Sequence, residues 1–297
     1  VNGGIISRLL GNILFALGLT MGLCLPVAYY YGERDAGFAL VTSMACTCMV
    51  GALFFVWGRS NEHTVYRRDA LVVVGFGWLL VGFFGSLPYY FGNIFPSYID
   101  AYFEAVSGFT TTGATVLTDI ESIPQSLLFW RMTTHWLGGM GIIVLFVAIF
   151  PQIGVGAKQL FRTEVPGPLT EGLRPKIKET ALALWKIYAF LTASAALLFM
   201  LFGMNPFDAV CHAFSTLATG GYSTKNASIG HFDSWALDGI TTLFMLLAGI
   251  NFTLYFLLLR GRFNAFWKNG ELRVYLTITL IVSLCIAFNI SDRHEGF

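Results

Sequence analysis

Two short stretches of this chain bring hydroxyls and glycines together without a carboxylate: Thr110-Thr111-Thr112-Gly113-Ala114-Thr115 and Ala218-Thr219-Gly220-Gly221-Tyr222-Ser223. Such stretches offer coordination of a cation by neutral oxygens. Extended backbone presents carbonyls that can replace an ion's water shell. Gly permits backbone angles that most residues avoid, and Thr adds hydroxyl oxygens without charge. A divalent ion would call for carboxylates, so a monovalent cation fits better. The candidate ligands are Thr111, Thr112, Gly113 and Ala114 in the first stretch, and Thr219, Gly220 and Gly221 in the second. A side chain placed at Gly220 is expected to enter the ion path.

Something must hold each stretch in place. Ser97 with Asp100, and Asn205 with Asp208, put a capping side chain three residues before a carboxylate, a helix-entry signal. About ten apolar residues follow each cap, a rise of only about 15 Å, half the thickness of a bilayer core. Each half-helix aims its negative end at the stretch after it. Asp100-Ala101 matches Asp208-Ala209, Ala105 matches Ala213, and Ser107 matches Ser215; Thr112-Gly113 then matches Thr219-Gly220 across a one-residue gap. The chain holds an internal repeat.

Composition makes the setting a membrane. Of the 297 residues, 56% are hydrophobic and 12% charged, with mean hydropathy +0.67; soluble domains carry roughly 25% charged residues. Apolar runs at about 9–31, 37–58, 70–92, 126–150, 180–203, 237–259 and 272–290 are each long enough to span. Both capped half-helices fall between spans, on the same side. Arg and Lys concentrate on the other side, in Arg59, Arg67 and Arg68, in Lys158 to Lys178 and in Arg260 to Arg273, which makes that side and the N-terminus cytoplasmic. The net charge of +1 implies no nucleic-acid partner, and five cysteines in apolar surroundings read as packing. The chain begins at Val1 and stops in a polar stretch at Phe297, and reads as a fragment.

Other polar residues have structural readings. Asp100 and Asp208 read as helix-capping partners before ion attractors. Glu104 reads as a brace on a neighbouring loop. His135 and His212 read as buried hydrogen-bonding residues. Arg131 is expected to pair with Glu121 or Asp119, or to snorkel, and Asn251 to bond between helices.

Phe103-Glu104-Ala105-Val106-Ser107-Gly108-Phe109 leading into the first stretch, Asp208-Ala209-Val210-Cys211-His212-Ala213-Phe214-Ser215-Thr216 leading into the second, and Gln159 to Pro168 between them together resemble the Trk/Ktr/HKT superfamily of potassium transporters. Two helices ahead of the first repeat favour its bacterial TrkH branch. The resemblance implies an all-α polytopic membrane protein of helix–pore-helix–filter–helix repeats, similar to potassium-channel subunits, with four repeats around one pore. This chain would hold two N-terminal helices (1–68), a first repeat (69–155), a cytoplasmic linker (156–178), a second repeat (179–265) and the start of a third (266–297). It implies potassium in the filter, no covalently bound cofactor, a cytosolic TrkA-like nucleotide-binding regulatory subunit, membrane lipid, a homodimer and the bacterial inner membrane. In some relatives Ser replaces the first-filter Gly, so Gly113→Ser is expected to admit sodium. Alternatives are a sodium-coupled or less selective monovalent cation transporter, an intramembrane enzyme and a non-conducting structural subunit. No G-x-S-x-G turn supports an enzyme.

Overall fold

The protein, described here as a computed structural model for residues 2–58, 67–141 and 177–294, has helices joined by loops and no strand among those residues. Among the described residues, five helices are long and apolar enough to cross a membrane: Gly3–Tyr31, Arg34–Trp57, Leu71–Phe91, Ala181–Leu201 and Gly270–Ile290. The first comprises α1 (Gly3–Gly22) and α2 (Leu25–Tyr31), separated by a two-residue turn ahead of Pro26. Proline lacks an N–H and is accommodated in a first turn, so the helix restarts there. Next come α3 (Arg34–Trp57), α4 (Arg67–Gly85), α5 (Leu87–Phe91), α6 (Tyr98–Phe109), α7 (Gln125–Gly139), α8 (Ile177–Leu201) and α9 (Pro206–Leu217). After a short 3-10 turn the chain forms α10 (Trp235–Ala248), α11 (Phe252–Leu259), α12 (Phe263–Trp267) and α13 (Gly270–His294).

Two expected spans differ. The run at 126–150 is helical as α7 only to Gly139, then turns through Gly141 at φ +66°; from residue 142 to 176 it lies outside the described residues, as do most of the 156–178 linker and Gln159 to Pro168. The run at 237–259 is broken at 249–251 into α10 and α11. There the Tyr255 and Tyr275 hydroxyls donate to the Leu247 and Leu246 carbonyls, and Asn251 donates to Glu271 at 3.4 Å. These hydroxyls satisfy carbonyls near the end of α10, the usual need at a helix terminus.

Residues 1–245 form one compact unit and 246–297 a second, smaller one. In the larger unit α1 and α3 pack along their lengths. Gly11 and Gly51 make this possible, since a Cβ on Gly11 would stand 2.6 Å from the Gly51 carbonyl. Close backbone approach through small residues is the usual membrane-helix contact. The α1–α3 pair is also fastened to α7. Glu33, in the turn before α3, accepts hydrogen bonds from the backbone N–H of Gln125 (2.6 Å) and of Ser126 (2.9 Å) and from the Ser126 hydroxyl (2.7 Å). The residue at the N-cap of α7 is Pro124, which offers no capping side chain. Glu33 supplies the missing acceptor, with a charge suited to a helix N-terminus.

Candidate functional site

The two half-helices begin as their sequences require. Ser97 accepts from Asp100 N–H and Asn205 from Asp208 N–H. Both are twelve residues long, too short to cross a bilayer. Their far ends are built alike. At the end of α6, Thr111 N–H donates to Gly108 O and Thr112 N–H to Ser107 O; at the end of α9, Thr219 N–H donates to Thr216 O and Gly220 N–H to Ser215 O. This paired bond pattern is the Schellman ending, whose left-handed residue is usually Gly. Here it is Thr111 in one copy and Thr219 in the other, both at φ +54°. Two residues on, Gly113 (φ +76°) and Gly221 (φ +90°) are left-handed again.

This settles the repeat register. The spacing between Asp100 and Asp208 continues unbroken to Thr111 and Thr219 and to Gly113 and Gly221. The one-residue gap expected from sequence is absent, so Gly113 corresponds to Gly221, and Gly220 corresponds to Thr112. A Cβ on Gly220 would strike the buried His135 imidazole, whereas a Cβ on Gly221 meets open space. A Cβ on Gly113 would strike the Gly220 carbonyl oxygen, so the two segments touch there. Thr112, Ala114, Thr219 and Gly221 are exposed; Thr111, Gly113 and Gly220 are half-buried. The carbonyl of Ala114 accepts from the Ser107 hydroxyl at 2.6 Å and from Tyr222 at 3.4 Å.

Each segment is tied back to its own half-helix one repeat position apart. Glu104 of α6 accepts from the Thr115 hydroxyl (2.9 and 3.0 Å) and from Val116 N–H (3.2 Å), the bracing role expected of it. Its counterpart in α9 is His212, whose Nδ1 lies 2.8 Å from Asp208 O and whose Nε2 lies 3.0 Å from the Ser223 hydroxyl. A carbonyl only accepts, so Nδ1 carries the proton and Nε2 accepts from Ser223. Asp208 also accepts from Thr224 at 2.6 Å and pairs with Lys225 at 3.6 Å.

Arg131 is placed differently from expectation. It neither snorkels nor reaches Glu121 or Asp119. At 1% exposure it donates from Nε to Glu104, itself fully buried, at 2.6 Å, and from an η nitrogen to Ser223 O at 3.2 Å. A buried carboxylate needs such a partner, and this one comes from α7, which packs on both α6 and α9. His135, one turn further along α7, lies with Nδ1 3.3 Å from the Ser215 hydroxyl. Outside the segments, Asn226 joins the two outgoing loops. It accepts from Ile120 N–H and donates to Glu121 and to Asp119, the last at 2.9 Å. The hydrogen bond from the Asn226 side chain holds the Asp119 carboxyl below its ordinary pKa.

Spanning helices with two half-length helices between them, each ending in an irregular Thr/Gly segment, define a multi-pass membrane protein with paired pore-type segments. The sequence profile of the TrkH cation transport proteins matches residues 37–289, and the chain belongs to that family. It is 40% identical over 297 residues to the Trk system potassium uptake protein TrkH of Vibrio parahaemolyticus, covering 98% of this chain and 61% of that protein. It is 45% identical over 295 residues to TrkH of Halomonas elongata, with 98% and 61% coverage. The crystal structure of the Vibrio parahaemolyticus potassium transporter TrkH superposes over 100% of this chain and 61% of that one, with TM-score 0.83 at 38% identity. The chain thus spans about three-fifths of these relatives' length.

Proposed function

We propose that this chain contributes two of the filter segments through which its parent protein takes up potassium. The observation that carries the proposal is the pair of left-handed threonines. A β-branched residue at positive φ is a genuine outlier, and Gly would occupy the position without strain. Two copies of the repeat nevertheless carry Thr at the same position, immediately before the glycine-rich segment. Strain kept twice at equivalent positions points to a use for the hydroxyl and its neighbouring carbonyl. The alternation of positive and negative φ through Thr111-Thr112-Gly113 and Thr219-Gly220-Gly221 allows successive carbonyls to face one side, unlike a strand, where they alternate. Among the expected ligands, Thr111, Thr112, Gly113, Thr219, Gly220 and Gly221 form the ion-facing set, and Ala114, its carbonyl engaged by Ser107, anchors the first segment. The relatives' names add potassium as the ion.

In this reading residues 69–155 and 179–265 are the first two of four repeats. The parent sits in the bacterial inner membrane with its N-terminus in the cytoplasm, works as a homodimer and is regulated by a cytosolic TrkA-like subunit. The test is rubidium or potassium uptake into proteoliposomes holding the full-length parent, with sodium as competitor. Saturable uptake that sodium barely inhibits is expected. No uptake, with or without nucleotide and the regulatory subunit, would remove the transport assignment and leave only the topology.

A further inference from the structure

One side chain is shared by both segments. Tyr222 belongs to the second, yet its hydroxyl lies 3.0 Å from the Glu104 carbonyl and 3.4 Å from the Ala114 carbonyl, both of the first repeat. Its ring stacks on the His135 imidazole, with centroids 3.8 Å apart and planes 12° from parallel, and the Arg131 guanidinium lies 3.4 Å from its centroid. Two planar groups that close to one centroid must lie on opposite faces. Arg131 and His135 are one turn apart on α7, so Tyr222 enters between them. Each plate is fixed elsewhere, Arg131 to Glu104 and to Ser223 O, His135 to Ser215. The position equivalent to Tyr222 in the first segment is Ala114, which has no side chain to reciprocate. A single one-sided post therefore stands beside the place where Gly113 meets the Gly220 carbonyl.

We infer that Tyr222, clamped by Arg131 and His135, is a positioning residue that sets the spacing of the first and second filter segments and through it the preference of the pore for potassium over sodium. The inference rests on the filter assignment above. Selection among monovalent cations by carbonyls depends on the size of the cage or on its field strength, and both change with the separation of the strands that carry the carbonyls. The post acts from behind the segments; neither its ring nor its clamps need touch the ion.

The experiment measures rubidium uptake and its inhibition by sodium in proteoliposomes of the full-length parent carrying Tyr222→Phe or Tyr222→Leu, with melting temperatures taken in parallel. Tyr222→Phe keeps the stack and removes the hydroxyl, and its potassium preference falls about threefold, the scale of a lost hydrogen bond. Tyr222→Leu removes the stack as well, and preference falls about tenfold while total monovalent cation flux persists. Wild-type preference in a folded Tyr222→Phe protein overturns the inference even if Tyr222→Leu does not fold. Failure of the wild-type parent to carry rubidium would instead strike the filter assignment itself, so the two failures are distinguishable.

Discussion

The first and second pore segments share a backbone and differ in how it is held. Both open on a side-chain cap, run twelve residues, and close on a Schellman turn with a left-handed Thr. At the position that ties the outgoing strand back to its half-helix, however, the first carries Glu104 and the second His212. A neutral imidazole satisfies itself locally, between Asp208 O and the Ser223 hydroxyl. A buried carboxylate cannot, and it brings Arg131 with it. Arg131 then reaches across to Ser223 O and to the Tyr222 ring. The charge in the first half-helix thus adds a link to the second segment that the second half-helix does not return. Two copies of one loop remain alike where backbone geometry matters and diverge where only an anchor is needed.

The sharpest way to break that comparison is to orphan the charge. In the full-length protein Arg131→Gln leaves Glu104 buried without its cation, and the expected loss is about 3–5 kcal/mol, read as a large drop in melting temperature. Glu104→Gln combined with Arg131→Gln removes both charges and should recover much of that loss. If the double variant melts no higher than the single one, the pair is not what holds the first segment. His212→Gln should cost only about 1 kcal/mol, because no charge is stranded.

The equivalent glycines provide the next contrast. Gly221→Ala meets open space and bears only the cost of a left-handed non-glycine residue, about 1–2 kcal/mol. Gly113→Ala bears that cost and also drives a methyl into the Gly220 carbonyl, adding about 1–3 kcal/mol. Melting curves that rank the two variants the other way would mean that the first segment does not press on the Gly220 carbonyl at Gly113. Smaller still are the caps. Ser97→Ala should cost about 1 kcal/mol. Asn205→Ala should cost more, since Asn205 also donates to Asp208 at 2.6 Å.

Much of this was legible in the sequence because it is local. Caps, apolar length and the Thr/Gly composition each sit within a few neighbouring residues, and the half-helices begin at the residues that signal them. The turns that end them were not legible. A Schellman ending invites Gly at its left-handed position, and Thr111 and Thr219 hide it; glycines sitting at different places in the two stretches then suggested a gap that the backbone lacks. Arg131 lies 27 residues from Glu104, and its nearer acidic neighbours in sequence are Glu121 and Asp119. Only the packing of α7 against α6 selects the distant one. The break at 249–251 was masked by apolar residues on both sides, which keep a hydropathy window high whether or not the helix is continuous.

The mildest test concerns the outer rim, where the two repeats meet through Asn226. Asp119 accepts from the Asn226 side chain, and this lowers its carboxyl pKa below the ordinary value near ~3.9. A carboxyl whose pKa is lower in the folded protein binds protons more readily when unfolded, so the stability it adds is complete above the unfolded pKa. That stability fades as pH falls toward and through the folded pKa. Asp119 is fully exposed, so the effect is small and weakens with added salt. The difference in melting temperature between wild type and Asp119→Asn should therefore be constant from neutral pH down to about pH 5 and shrink below about pH 4. Asn226→Ala should weaken that pH dependence, leaving the part owed to the Glu121 and Ser122 donors, while the Glu104–Arg131 pair stays intact. A difference that grew on acidification would mean that Asn226 does not hold Asp119 in its charged form, and that the two repeats are joined at the core by Arg131 and Tyr222 without help from the rim.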